Sequence, residues 1–260
     1  MKPATSCSRL SVREAVSSHT EALRRRTRVA ARVATRFARC RHMNTSTQSA
    51  FDTLFHESNA RIAEVLRRSK RYLGIYAAGI GDRGNGLLLA GASGVGKTTL
   101  ALELASRGYA LLGDETTIYD RTLERLLPLE RALMIRSGSF PLLSDPTLEE
   151  RCKRLGFHAT DGMRLVYHVG ARALFGESAF SPPVHPRAIV HLERGQPGGL
   201  DQLSTARYVC SMSSCFYLER STPAATMEVL DNLRNVSVYR LRIDAPRAAA
   251  DTIVELLDAL

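Results

Sequence analysis

The clearest chemical signal in the chain is a glycine-rich segment that ends in lysine and threonine. Residues 91–98 read Gly-Ala-Ser-Gly-Val-Gly-Lys-Thr and match GxxxxGK[ST] at every fixed position. Glycines let successive backbone N–H groups turn toward one anion, and the N-terminus of a following helix adds partial positive charge. Lys97 can reach the β- and γ-phosphates of a nucleotide, and Thr98 can offer its hydroxyl to Mg²⁺. The predicted nucleotide-binding residues are Gly91, Ala92, Ser93, Gly94, Val95, Gly96, Lys97, Thr98 and Thr99.

The elements around this segment are those that position a phosphate-binding loop. The short apolar run 87–90 predicts a buried strand before the loop, and residues 98–106 predict a helix after it. Residues 109–112 then predict a second strand. In a right-handed βαβ unit, the end of that second strand lies at the same edge of the sheet as the loop.

Two adjacent acids follow this second strand. Asp114 comes 17 positions after Lys97, and Glu115 is next to it. Paired carboxylates at such an edge suit Mg²⁺ coordination and the activation of an incoming hydroxyl. We therefore predict Asp114 and Lys97 as catalytic residues, and Thr98, Glu115 and Asp114 as metal ligands. The alternative is a solvated acidic turn.

The rest of the chain alternates helical and extended patterns, which predicts one α/β domain over residues 43–260. Further strands or extended stretches are predicted at residues 72–80, 132–135, 164–169, 188–192 and 236–243. Helices are predicted at residues 60–68, 205–218 and 224–233 and from residue 248 onward.

Residues 91–115, GASGVGKTTLALELASRGYALLGDE, resemble the catalytic domain of HPr kinase/phosphorylase. In that family a strand, a phosphate loop and a helix are followed by Arg-Gly, an apolar strand and two acids. Residues 174–179, LFGESA, are similar to its LFG-x-S-A segment. The resemblance spans roughly residues 71–260 in the order of elements. It implies a single P-loop kinase domain of the HPr kinase and phosphoenolpyruvate carboxykinase type, with a mixed sheet and flanking helices.

The resemblance also implies roles and a substrate class. Asp114 would accept the proton of the substrate hydroxyl, and Glu115 would assist the metal. Small relatives with this fold accompany peptide natural-product pathways, including those of lasso peptides, and some phosphorylate a serine of the precursor peptide.

Three departures from the family pattern stand out. Tyr76 occupies the place of a family histidine, and a glycine-rich signature is reduced to Arg-Leu-Val-Tyr-His at residues 164–168. The arginine that follows LFG-x-S-A falls on Ser181. These departures count against phosphorolysis and against recognition of HPr itself, but they leave the parts needed for phosphoryl transfer in place.

An arginine is expected to stabilise charge on a transferring phosphoryl group. Arg131 and Arg136 flank a short apolar stretch, and Arg187 precedes a predicted strand. Each is a candidate for contact with phosphate or substrate, and a surface charge is the alternative for each. Residues 137–161 could form a mobile substrate loop or an ordinary connection.

The net charge of +10 belongs almost entirely to one end of the chain. Residues 1–42 contain one Lys and ten Arg against Glu14 and Glu21, a net of +9, so the remainder carries only +1. A body without a broad cationic face is not expected to bind a specific nucleic acid. We expect residues 1–42 to be a disordered arm. It could be a basic tail, a presequence, or sequence upstream of a true start at Met43.

The leading hypothesis is an ATP- and Mg²⁺-dependent kinase that phosphorylates a serine of a peptide or small protein. The alternatives are a kinase for a small-molecule hydroxyl and a non-catalytic ATP-binding regulator. The five cysteines have no CxxC spacing, and no run of about 18 apolar residues occurs, so we expect a cytoplasmic protein that does not use a membrane.

We further predict a homo-oligomer, because the resembled family forms oligomers and a body of net charge near +1 has little self-repulsion. Light scattering on a chain that begins at Met43 measures the mass without the basic arm. A monomer mass would contradict the oligomer and leave the kinase hypothesis intact.

Overall fold

The computed structural model describes residues 45–161, 164–196, 198–212, 215–218 and 222–260. The expected arm, residues 1–42, and the candidate start Met43 lie outside the described residues. The helices are α1 (Thr45–Arg68), α2 (Lys97–Ser106), α3 (Leu148–Leu155), α4 (Ala171–Phe175), α5 (Thr205–Ser211), α6 (Pro223–Leu233) and α7 (Pro246–Ala259). The strands are β1 (Tyr72–Ile75), β2 (Ala78–Asp82), β3 (Asn85–Ala90), β4 (Ala110–Gly113), β5 (Thr117–Asp120), β6 (Arg125–Leu127), β7 (Ala132–Arg136), β8 (Phe157–Asp161), β9 (Arg164–Gly170), β10 (His185–Arg194), β11 (Asp201–Leu203), β12 (Phe216–Tyr217) and β13 (Ser237–Ile243).

The central sheet has six strands in the order β11-β13-β10-β3-β2-β4. β10 pairs in parallel with β3 and β13, whereas β2 runs antiparallel to both β3 and β4. β3 and β4 therefore run in the same direction and end at the same edge of the sheet. A four-stranded sheet (β12-β1-β5-β6) and a three-stranded sheet (β7-β9-β8) accompany it. The predicted α/β architecture with a mixed sheet and flanking helices is confirmed.

β3 is buried on both faces, and its alternate side chains enter two different cores. Leu87 and Leu89 pack in the core that includes the apolar faces of α2 and α7. Leu88 and Ala90 pack in a second core with side chains of β1 and β5. This is the side-chain alternation of a strand with no solvent face. The end of β3 is thus held firmly from both sides.

The predicted strand over residues 72–80 is wrong as a single element. The chain turns at Tyr76 and Ala77, so that β1 belongs to the four-stranded sheet and β2 to the central one. The turn is closed by a hydrogen bond from the N–H of Ala77 to the carbonyl of Ile75 at 2.9 Å. The N–H of Tyr76 donates to the carbonyl of Cys215 at 2.8 Å. Residues 72–80 contain no charged residue, so their sequence does not indicate that the chain passes from one sheet to another.

The predicted helix over residues 205–218 is also too long. α5 ends at Ser211, and β12 then pairs with β1, with Tyr217 opposite Gly74. Long-range pairing at the edge of a sheet thus outweighs local helical periodicity. Within the described parts of the chain, no helix combines the length and the apolar character needed to cross a bilayer.

Residues 137–161 are not a plain connection, because they form secondary structure of their own. They contain a 3₁₀ helix (Ser137–Leu142), α3 and β8. We call residues 137–144 the wall segment, because several of its residues line the cavity described below. α2 holds this segment through side chains spaced four residues apart, which place them on one helix face.

These side chains are Thr99 and Glu103. Together with Arg107, which directly follows α2 and bonds to Glu103, they are here called the α2 polar seam. Thr99 Oγ1 lies 3.0 Å from Ser139 Oγ. Glu103 accepts hydrogen bonds from the backbone N–H of Ser144 at 2.8 Å and from its hydroxyl at 2.7 Å. The helix that begins at the phosphate loop is therefore tied to the wall segment at two points.

Glu103 is completely buried, with 0% of its surface exposed. Burial by itself raises the pKa of a carboxyl, but hydrogen bonds from Ser144 and Arg107 outweigh it and hold the pKa of Glu103 below its ordinary value. Arg107 Nε donates to Glu103 at 3.0 Å, and Arg107 Nη1 donates to Asp251 of α7 at 2.5 Å. Glu103 is thus an anion that joins α2, α7 and the wall segment.

We predict that Glu103→Gln lowers the free energy of unfolding by about 1–3 kcal/mol at pH 7, because an amide cannot replace the charged acceptor of these bonds. The pKa of Glu103 is depressed in the folded state. Its contribution is therefore present above the ordinary glutamate pKa and is lost as the pH falls through the folded value. Urea unfolding at neutral and acidic pH measures both effects.

Glu255→Gln, on the exposed face of α7, is the matched control and should change stability little. A cost of Glu103→Gln that does not shrink in acid would contradict the charged state assigned to Glu103.

Candidate functional site

The loop between β3 and α2 has the backbone shape that an anion cradle requires. Gly91, Gly94 and Gly96 adopt positive φ values of 140°, 77° and 120°. A Cβ on Gly91 would also lie 2.7 Å from the carbonyl oxygen of Leu192 in β10. Side chains at these positions would be strained, and at Gly91 they would collide with the neighbouring strand. The strand, loop and helix thus stand in the predicted order.

Lys97 is almost completely buried at the start of α2, with 5% of its surface exposed. Its Nζ donates to the carbonyls of Gly91 at 2.9 Å and Ala92 at 3.0 Å. The same Nζ lies 4.6 Å from the centre of the Tyr76 ring, a cation–π contact. Burial lowers the pKa of Lys97, although the charges of Glu115 and Asp114 oppose the shift. Tyr76, which occupies the place of a family histidine, therefore lies in the site.

Asp114 lies directly after β4 and meets the phosphate loop as the βαβ argument predicts. Thr98 Oγ1 donates to Asp114 Oδ1 at 2.8 Å. The backbone N–H of Met134 also donates to this carboxylate. The structure thus brings Thr98, Asp114 and Glu115 together at one edge of the central sheet.

Glu115 reaches the site through a strained turn. Its φ is +60°, and the N–H of Thr116 donates to the carbonyl of Asp114 at 2.7 Å, which closes a γ-turn around Glu115. A Cβ on Gly113 would lie 2.2 Å from the carbonyl oxygen of Thr116, so the turn also needs glycine at that place. Strained non-glycine backbone of this kind is concentrated at functional sites.

The carboxyl group of Asp114 is held away from its ordinary ionisation. Burial, followed by the charge of Glu115, raises the pKa of Asp114 from 3.8 to about 6. Arg131 and the hydrogen bonds from Thr98 and Met134 oppose the shift. Near neutral pH the group is an anion that can readily accept a proton.

The three arginines predicted for the site have different placements. Arg131 donates to the backbone carbonyl of Asp114 at 2.6 Å and to Asn59 Oδ1 at 2.9 Å, and it lies 3.5 Å from the carboxylate of Glu115. It therefore braces the two acids. Arg136, at the end of β7, lines the cavity beside the loop.

Arg187 is not brought to the site. It lies near the beginning of β10, where its Nε donates to Asn85 Oδ1 at 3.1 Å. β10 and β3 are parallel, so this is the end of β3 opposite to the phosphate loop.

A cavity of about 400 Å³ adjoins the phosphate loop. Sequence reasoning missed several of its lining residues. Arg194 could have been found, since the end of a strand parallel to β3 must lie beside the loop, but the predicted strand stops at residue 192. The wall segment carries no motif. The lining residues are Tyr76, Ser93, Gly94, Gly96, Lys97, Thr98, Thr99, Glu115, Met134, Arg136, Ser137, Gly138, Ser139, Leu142 and Arg194.

The residues at this edge fit a magnesium ion that is shared with a nucleotide. Mg²⁺ commonly takes one or two carboxylates together with phosphate oxygens and water. The hydroxyl of Thr98 and the carboxylates of Asp114 and Glu115 supply such oxygen donors. Within the described residues, no group of three or more His, Cys, Asp or Glu side chains forms a self-sufficient metal site.

Comparison with curated proteins finds HPr kinase/phosphorylases. The chain is 32% identical over 155 residues to the HPr kinase/phosphorylase of Azoarcus sp. strain BH72. The aligned region covers 60% of this chain and 41% of that protein. The chain is 32% identical over 118 residues to that of Aromatoleum aromaticum, covering 45% and 31%. It is 34% identical over 113 residues to that of Nitrosomonas europaea, covering 43% and 28%. The chain thus matches less than half the length of these relatives.

No family model matches the chain. Among solved structures, the Hpr(Ser) kinase/phosphatase from Coxiella burnetii aligns at a TM-score of 0.37 and 12% identity, covering 70% of this chain and 95% of that chain. In sequence, the chain is a divergent relative of the HPr kinase/phosphorylases.

We predict that Asp114→Asn stabilises the protein in metal-free buffer above pH 6. The folded state raises the pKa of Asp114 from 3.8 to about 6, so it binds an extra proton between these values and loses stability as the pH rises through them. A neutral amide, which can still accept from Thr98, removes this penalty of about 1–3 kcal/mol. Thermal unfolding with a chelator should show a gain that shrinks toward pH 4.

Asp231→Asn, at a carboxylate that is 81% exposed on α6, is the control and should give no such profile. An equal gain for Asp114→Asn at every pH would show that its pKa is not raised.

Proposed function

We propose that this protein is a kinase that transfers the γ-phosphoryl group of ATP, with Mg²⁺, to a serine hydroxyl of a peptide or small protein. The observation that carries the proposal is the hydrogen bond of 2.8 Å between Thr98 of the phosphate loop and the buried carboxylate of Asp114. A carboxylate that bonds to the phosphate loop supports the role of Asp114 as a proton acceptor beside the predicted position of the terminal phosphates. Relatives named HPr kinase/phosphorylase support the same chemistry.

The phosphate loop supplies binding and orientation. Backbone N–H groups after Gly91 and the N-terminus of α2 face the β- and γ-phosphates. Lys97 contributes a cation whose two carbonyl partners, Gly91 and Ala92, belong to the same loop. Its ammonium can exchange these carbonyls for phosphate oxygens with a small side-chain movement.

Asp114 acts as the base. The serine oxygen forms a bond to the γ-phosphorus as the bond from that phosphorus to the β–γ bridging oxygen breaks, and the serine proton passes to the Asp114 carboxylate. ADP leaves with the electron pair of the broken bond. A base is most effective when its pKa lies near the working pH, and a pKa of about 6 meets this condition.

Mg²⁺, when bound, neutralises charge on the phosphates. Thr98, Glu115 and Asp114 would hold it. The γ-turn fixes the direction of the Glu115 carboxylate, and Arg131 holds that carboxylate and the Asp114 backbone in place. Positioning of this kind is the main contribution that a protein makes to phosphoryl transfer.

The wall segment supports a peptide as the acceptor. Leu142 lines the cavity and keeps 42% of its surface exposed, beside Ser137 and Ser139 and near the cationic Arg136. An exposed apolar side chain next to polar groups suits the varied side chains that flank a serine in a peptide. We further propose that the enzyme works in the cytoplasm, where ATP is available, as a homo-oligomer.

The kinase proposal predicts transfer from γ-labelled ATP to serine peptides encoded by neighbouring genes, with slow ATP turnover when no acceptor is present. Asp114→Asn should reduce transfer about 10²- to 10⁴-fold, because the proton acceptor and one of the proposed Mg²⁺ ligands are lost. ATP binding should persist, because the phosphate loop and Lys97 remain. Lys97→Ala should abolish the thermal stabilisation by nucleotide, because the loop loses its side-chain cation.

Asp231→Asn and Lys153→Ala, at exposed positions on α6 and α3, are the matched controls. Transfer by Asp114→Asn at the wild-type rate would exclude this base. Labelling of small hydroxyl compounds but of no peptide would indicate a small-molecule kinase. Binding of ATP without any labelled acceptor would indicate a regulator.

A further inference from the structure

We propose that Arg194 binds the terminal phosphates of the nucleotide from the side of the loop opposite to the two acids. This inference rests on the proposed function and adds a residue that the sequence reasoning did not identify. Arg194 is the last residue of β10 and lines the same cavity as Ser93, Lys97 and Thr98.

The sheet fixes the backbone of Arg194 beside the loop. β10 runs parallel to β3, with His191 opposite Ala90, so its final residues continue alongside Gly91. A Cβ on Gly91 would lie 2.7 Å from the Leu192 carbonyl oxygen, so β10 packs closely against the first residue of the loop. On its other edge, β10 remains paired with β13 as far as Arg194, which lies opposite Ile243. The guanidinium therefore projects from an ordered strand.

The acids approach from the other direction. In the sheet order β10-β3-β2-β4, Arg194 ends the strand on one side of β3, whereas Asp114 follows β4 on the other side. A phosphate chain bound in the loop would thus have carboxylates and metal on one flank and a guanidinium on the other. A metal held by the acids and the guanidinium of Arg194 would then offset the phosphate charge from opposite flanks.

The side chain of Arg194 is exposed and only lightly held. Its Nη2 donates to the carbonyl of Gly94 at 3.3 Å, a long hydrogen bond to the apex of the loop. A guanidinium carries five N–H donors in a planar fork that matches phosphate oxygens, and this bond uses one of them. A small rotation would direct the fork at an anion in the loop, since Gly94 belongs to the loop itself.

The other arginines considered for this role are placed differently. Arg131 is engaged with Asp114, Asn59 and Glu115, and Arg187 lies at the far end of β10. Arg136 ends β7 and leads into the wall segment, the side assigned to the acceptor. Of the two described arginines that line the cavity, Arg194 is thus the one on the donor side. An arginine supplied by the same chain can stabilise the charge that develops on a transferring phosphoryl group.

The chain offers a matched control within one strand. Arg187 and Arg194 are both exposed arginines of β10, one near each end. Arg187→Ala and Arg194→Ala remove the same side chain from the same element. Only Arg194→Ala removes an arginine side chain that lies beside the phosphate loop.

The test compares the affinities of Mg-ATP and Mg-ADP by titration calorimetry for wild type, Arg194→Ala, Arg194→Lys and Arg187→Ala. If Arg194 contacts the γ-phosphate, Arg194→Ala should weaken ATP about tenfold or more and ADP much less, because a charged hydrogen bond to phosphate is lost. Arg194→Lys should recover part of this preference, and Arg187→Ala should match wild type. Transfer to the acceptor should fall about 10²-fold or more in Arg194→Ala.

An equal loss of ATP and ADP affinity in Arg194→Ala would overturn the assignment to the terminal phosphates. If Arg194→Ala had wild-type affinities for both Mg-ATP and Mg-ADP and a wild-type transfer rate, the role of Arg194 would be overturned. The kinase proposal would still stand. Failure of the wild type to bind either nucleotide would overturn both. Unfolding temperatures measured without nucleotide, equal for Arg194→Ala and Arg187→Ala, confirm that any difference arises at the site.

Discussion

The burial of one carboxylate is the constraint on which the site depends. Asp114 is 3% exposed, and a charged carboxylate in that position is costly unless other groups bond to it. Thr98 from α2 and Met134 from β7 donate to it, and Arg131 holds its backbone. α2, β7 and the connection that precedes β7 therefore converge on Asp114. They stabilise the anion enough for it to form near neutral pH, but not enough to remove its affinity for a proton.

The α2 polar seam extends this convergence to the wall segment. The helix that starts at the phosphate loop binds the wall segment through Thr99 and Glu103, and Arg107 connects it to α7. Arg247 of α7 also donates to the carbonyl of Leu143, at 2.5 Å, in the wall segment. The phosphate loop and the wall segment are thus connected by one network of polar contacts, so a displacement of either would strain the contacts of the other.

The sequence predicted the parts that depend on local order. The loop, its helix and the edge reached by Asp114 follow from spacing along a βαβ unit. Long-range pairing decides the rest. Glu193 and Arg194 look like loop residues, yet pairing with β13 extends β10 through them. Glu103 looks like a solvent-facing helix residue, yet Ser144, 41 positions away, makes its burial possible. The residues next to these positions in sequence give no indication of such distant partners.

The burial of Lys97 has a consequence for which anions the loop can hold. Two backbone carbonyls and the ring of Tyr76 replace much of the water that surrounds a free ammonium group. Dehydration of this cation is therefore part of folding rather than of binding. An anion must offer enough oxygen acceptors to replace the carbonyls that it displaces. Halide ions, with one centre each, compete poorly under this rule, so the loop should discriminate against simple salts more strongly than an exposed lysine would.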